Sequence, residues 1–177
     1  MKKHVRSWLV LGAAFLLLLS SSTLAHSEDQ KPKSLSIVHL GDSYSAGNGA
    51  GNYHGPAACR RSGRNWGALF TSWANSQGIA ASYQNHACSG GTIGDLFSSR
   101  TLPKQSPKGV SASSAEEAKA TLDSSDACST RAVGDDFLSV DYHLTKNNSR
   151  WPWGKDYTYE CQITIRAQAD FVGPQTD

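Results

Sequence analysis

Residues 35–47, LSIVHLGDSYSAG, decide how this chain is read. The apolar run Ile37-Val38-His39-Leu40 has the length and composition of a short buried strand. It stops abruptly at Gly41-Asp42-Ser43, and a glycine-rich stretch, Asn48-Gly49-Ala50-Gly51, follows. A serine at the C-terminal end of a strand, on a loop that bulky side chains do not crowd, is where an α/β enzyme presents a nucleophile.

Upstream of this stretch the chain reads as an export signal followed by a tether. Lys2, Lys3 and Arg6 form a basic start, Leu9 to Leu19 an apolar segment, and Thr23-Leu24-Ala25 a small-residue end. That is the layout of a secretory signal peptide over 1–25, with the cut expected after Ala25. The apolar segment is shorter than the roughly 20 residues that a spanning helix needs, so no stable membrane anchor is expected after cleavage. Residues 26–34 form a polar lead-in containing Pro32. The 177 residues suffice for one domain, expected over 35–177. The chain carries 17 basic and 15 acidic residues; without the leader it carries 14 and 15, a net charge of −1. With no basic face left, no nucleic-acid partner is expected.

All four cysteines, Cys59, Cys88, Cys128 and Cys161, lie in the exported part. An even count in an oxidising compartment implies two disulfides. Three pairings are possible. The sequential one, Cys59 with Cys88 and Cys128 with Cys161, is the favoured expectation, each bond closing a loop worth about 3–4 kcal/mol in the chain-entropy model. A four-thiolate zinc site would call for a C-x-x-C pair, which the sequence lacks, so no metal is expected.

Downstream, residues 48–64 read as loop. Asn65 is a good helix cap, and Trp66, Leu69, Phe70 and Trp73 then share one helical face before Gly78 stops the helix. That apolar face is expected to pack on the sheet. Ile79 to Gln84 reads as a second strand, Asn85 to Gly91 as its turn, and Thr92 to Phe97 as the start of a short helix. Strand, helix, strand in this order implies a right-handed parallel unit. Ser113-x-x-Glu116 and Ser114-x-x-Glu117 both fit a capping box, predicting a helix over about 114–122 in an otherwise Ser/Ala-rich stretch. Phe137, Tyr142, Trp151, Trp153, Tyr157 and Tyr159 make 136–160 aromatic, either a satellite cluster under a loop or a substrate wall. Asn147-Asn148-Ser149 is a glycosylation sequon. Residues 162–172 fit a strand by alternation and a helix by composition.

Gly41-Asp42-Ser43-Tyr44-Ser45-Ala46-Gly47 resembles the first signature block of the SGNH (GDSL-type) hydrolases. Asn85-His86-Ala87-Cys88-Ser89-Gly90-Gly91 with Asp95-Leu96 is similar to the second-block turn of its secreted esterases and lipases, as are Gly49-Ala50-Gly51 and Cys59-Arg60-Arg61-Ser62. The resemblance covers residues 35–97 well and the rest weakly. It implies a flavodoxin-like three-layer α/β fold with a parallel sheet, residues 98–160 being an insertion. It implies a secreted ester hydrolase that needs no cofactor, acting on a lipid, short-chain or polysaccharide acyl ester. Ser43 would be the nucleophile, the Ser43 and Gly90 amides oxyanion-hole donors, and Asp42 an organiser of the loop. Cys59 would pair with Cys88.

A serine hydroxyl needs a base. The family supplies an asparagine from a G-x-N-D block and a histidine from an Asp-x-x-His block, and this sequence has neither. Asp141-Tyr142-His143 has the wrong spacing. In relatives a Thr-Asp like Thr176-Asp177 leads into the G-x-N-D strand, so a chain that stops short of its third block is the expectation. The other reading recruits His54, His86 or His143. A non-catalytic secreted binding module is the alternative function. A phosphate loop at Gly47 to Gly55 lacks the Gly-Lys-Ser/Thr ending, and a G-x-S-x-G elbow is excluded because Ser45 stands two residues after Ser43.

Overall fold

The computed structural model describes residues 34–149 and 154–173. The leader with its cut after Ala25, the tryptophans of the Trp-Pro-Trp-Gly turn, Pro174 and the terminal 175–177 lie outside them.

The opening stretch folds as a strand, β1 (Ser34–His39), followed by a single-turn helix, α1 (Ser43–Ala46). The loop after it holds a minimal hairpin, β2 (Tyr53–His54) with β3 (Arg61–Ser62). Helix α2 (Trp66–Ser76) then crosses to β4 (Ala80–Asn85), which pairs parallel with β1 from Ser34 opposite Ala80 to His39 opposite Asn85. The expected parallel unit is present, and Asn65 caps α2 through a hydrogen bond from the Ala68 amide.

The helix packs with the opposite face from the one its large residues predict. Gly67, Thr71 and Ala74 are buried, whereas Trp66, Leu69, Phe70 and Trp73 are 42–59% exposed. Close approach is the reason. A Cβ at Gly67 would stand 2.7 Å from His39 Nδ1 and from Tyr83, so only the small-residue face fits against the strands. Trp66 packs edge-on against the His39 ring with 4.4 Å between centroids.

Beyond α3 (Gly94–Phe97) the architecture changes. Strands β5 (Arg100–Thr101), β6 (Lys108–Ala112), β7 (Phe137–Ser149) and β8 (Lys155–Ile165) form a four-stranded sheet with every pairing antiparallel. The expected sheet of parallel strands is thus limited to β1 and β4, and the fold among the described residues is mixed α/β. The 98–160 stretch supplies β5 to β7 and much of β8, together with α4 (Ala115–Ser124). Ser114 caps α4 by accepting from the Glu117 amide.

Strand β8 resolves the ambiguity at 162–172: it is extended to Ile165, and a 3-10 turn (Gln168–Phe171) follows. Tyr157, Tyr159, Cys161, Ile163 and Ile165 alternate inward, each 4% exposed or less, while the residues between them are polar and half-buried. One face of this sheet therefore makes the core and the other meets water. Ile163 and Ile165 pack with Leu102, Val133 and the Cys59–Cys88 bond; Tyr157 and Tyr159 pack with Ala112 and with Ala118 and Leu122 of α4. Both disulfides follow the sequential pairing, Cys59–Cys88 and Cys128–Cys161, and all four sulfurs are thereby committed. Among the described residues no helix is long and apolar enough to cross a membrane.

Candidate functional site

Ser43 sits where β1 ends, as the first residue of α1. The turn is built by the residues on either side of it. Gly41 has φ +127, a backbone state that L side chains rarely adopt, and a Cβ there would stand 2.6 Å from Ser45 Oγ. Asp42 caps the helix, its carboxylate accepting from the Tyr44 amide at 3.0 Å. Gly47 ends the turn in the left-handed region at φ +80.

The loop after β4 is stitched directly onto this turn. The amides of His86 and Ala87 donate to the His39 carbonyl, and that of Cys88 to the Gly41 carbonyl at 3.0 Å. Gly91 fits so tightly that a Cβ there would stand 3.0 Å from the Gly41 oxygen. The Cys59–Cys88 bond and the Ser89 amide donating to the Cys59 carbonyl add the 57–62 loop to the same assembly. Gly90 is required by its own backbone, with φ +75, and a Cβ would meet Arg100 Nη2 at 3.1 Å. Among the described residues neither the Ser43 nor the Gly90 amide donates a hydrogen bond. A cavity of about 400 Å³ opens beside the turn. Gly41, Asp42 and Ser45 line one side, and Gly91, Thr92, Ile93 and Leu96 the other. Ser43 is half-buried and is not one of its lining residues.

Two buried polar links that the sequence does not announce hold this assembly to the antiparallel sheet. Gln168 is 2% exposed, and its amide grips both sides of Gly41: Oε1 accepts from the Gly41 amide at 2.6 Å and Nε2 donates to the Gly41 carbonyl at 3.0 Å. The second link is Arg61, Asp136 and His86, all 7% exposed or less. Asp136 takes Arg61 Nη1 on one oxygen at 2.5 Å and His86 Nδ1 on the other at 2.8 Å. Arg61 also donates from Nε to the Ala87 carbonyl and from Nη2 to the His86 carbonyl. Burial works against ionisation of Asp136, but the hydrogen bonds from His86 and Arg61 and their charge hold its carboxyl below the usual carboxylate range. The His86 ring stacks on Phe171 with 3.6 Å between centroids.

Three of the four described histidines have partners other than Ser43. His86, one of the three histidines that the sequence offers as a recruited base, is a buried partner of Asp136. His39 is buried against Tyr83, whose hydroxyl lies 2.7 Å from Nδ1, and burial pushes its imidazole below the ordinary value. His143 bonds Gln162 from β7, and His54 is exposed on β2. No hydrogen bond joins Ser43 to a histidine among the described residues. Nor do the described residues bring together three or more His, Cys, Asp or Glu side chains as a metal site would.

No protein-family profile, no curated protein and no solved structure matches this chain.

Proposed function

We propose that this chain is a secreted carboxylic-ester hydrolase of the SGNH type, or the part of one that carries its nucleophile. The observation that carries the reading is the pairing of the two loops. A strand-terminal serine at the start of a helical turn is locked against a positive-φ glycine loop, and the Ser43 and Gly90 amides lack partners among the described residues. Unpaired amides beside a nucleophile can stabilise the oxyanion that forms when the hydroxyl adds to an ester carbonyl. In the reaction Ser43 Oγ would add to the carbonyl carbon and lose its proton to a base. The tetrahedral oxyanion would collapse with release of the alcohol, and water would then release the acid and free the serine. The export signal and the two disulfides favour an extracellular setting.

A second reading, a secreted binding module without catalysis, is favoured by one observation. His39, His86 and His143 are engaged with other partners, and among the described residues no hydrogen bond joins a histidine to Ser43, so no base is in place. Hydrolysis of p-nitrophenyl acetate by the full chain decides between them. A slow rate above the buffer blank that disappears in Ser43→Ala supports the hydrolase. A rate that survives Ser43→Ala overturns the assignment of Ser43, and no rate above blank supports the binding module.

A further inference from the structure

We infer a second binding site, for a single-chain anionic amphiphile, in the cavity above the Cys59–Cys88 core. The cavity is about 700 Å³, larger than the one beside the Ser43 turn and within the usual range of roughly 300–1,000 Å³ for small-molecule sites. Its floor is apolar: Leu102, Val133 and Ile163, all nearly inaccessible to water, reach it from three separate segments. Its ionisable lining groups are Arg60, Lys104 and Lys108, and no carboxylate lines it. An apolar floor under a rim whose charged groups are all cationic selects a ligand with an apolar chain and an anionic head, carboxylate or phosphate.

The three cations are available to such a head. Lys108 has no ion-pair partner among the described residues. Lys104 lies 3.4 Å from Glu160 in a pair whose members both touch solvent, an interaction that exchanges readily. Arg60 holds φ +48, a conformation uncommon for a long side chain, at the end of a 3-10 turn (Ala57–Cys59). Its guanidinium makes one long hydrogen bond of 3.4 Å, to Asn48 Oδ1. Asn48 in turn donates from its side chain to Ser89 Oγ and from its amide to the Ser43 carbonyl. Arg60 therefore joins the cavity rim to both loops of the candidate active site. The acid released from an acyl ester belongs to the ligand class, a connection that rests on the proposed hydrolase; the binding itself does not.

Isothermal titration of the full chain with decanoate, decyl phosphate and decanol tests the site. At least one anion is expected to bind at one equivalent, about tenfold or more tighter than decanol, with carboxylate or phosphate preference read from the two arms. The triple variant Arg60→Met, Lys104→Met, Lys108→Met should remove that preference. Ala132→Trp, which fills the cavity from an exposed lining position, should weaken the binding of the chain whatever its head. Ser43→Ala should bind as the unchanged chain does, so a failed hydrolase reading leaves this result intact. Absence of anion binding at millimolar concentration, equal binding of decanol, or an unchanged affinity in the triple variant overturns the proposal. Undiminished binding in Ala132→Trp overturns it as well.

Discussion

The two halves of this molecule solve the burial problem in opposite ways. From β1 to α3 the chain makes a two-stranded parallel pair, and the one long helix beside it buries only glycine, threonine and alanine while its tryptophans face water. From β5 onward the chain makes an antiparallel sheet whose strand β8 turns four large residues and Cys161 inward in strict alternation. The candidate chemistry sits in the first half and most of the apolar core in the second. A site on a thinly packed scaffold needs its rigidity from elsewhere. Here it comes through buried polar links, Gln168 to Gly41 and Asp136 to Arg61 and His86, and through a disulfide that belongs to the core cluster.

The sharpest way to break that contrast is to cut the charged link. Asp136→Ala leaves Arg61 buried and uncompensated, and should lower the free energy of unfolding by about 3–5 kcal/mol in urea titration. A loss below about 1 kcal/mol would mean that the halves do not depend on this link. Core truncation comes next. Ile163→Ala in β8 should cost about 2–5 kcal/mol. Trp73→Ser on the exposed face of α2 should stay within about 0.5 kcal/mol while reducing binding of a hydrophobic dye. Equal costs for the two would erase the distinction between the halves. Gln168→Leu removes both hydrogen bonds from the Gly41 peptide and should cost about 1–3 kcal/mol. It should also slow any reaction at Ser43, and an unchanged rate would show that the turn holds itself.

Which parts were legible follows the same divide. Asn65, the 66–76 helix, β1 and β4 are local patterns, and they were readable from spacing and capping alone. The packed face of α2 was not, because apolar periodicity points to Trp66 and Trp73, whereas the steric limit set by Gly67 against His39 and Tyr83 decides it. Strand β7 carried a signal in the alternation of Val140, Tyr142 and Leu144, masked by register shifts at Phe137/Ser139 and Leu144/Lys146. The aromatic residues Tyr157 and Tyr159 are core of an antiparallel sheet. The long-range partners of Gly41 and Asp136 lie 127 and 50–75 residues away, and no local pattern in one sequence pairs them. Ser43, Asp42 and Gly90 were picked out by the strand-turn motif and the resemblance together, and the structure places their two loops in contact.

A smaller effect concerns pH. Burial holds His39 below 6.5, so between its folded value and 6.5 the folded state binds fewer protons than the unfolded state. Stability from this source is complete above 6.5 and declines as the pH falls below it. Unfolding measured from pH 8 to 5 should show that decline, and His39→Gln should flatten it. An identical slope in the variant would assign the decline to other groups.

Ser43, and not its neighbour Ser45 that lines the cavity, is the proposed nucleophile. The most direct measurement is reaction of the full chain with a fluorophosphonate, followed by mass-spectrometric mapping of the adduct over time. Ser43 is predicted to be labelled faster than every other serine. Labelling of Ser45 or a distant serine at the same rate or faster, or no adduct on Ser43, would contradict the claim.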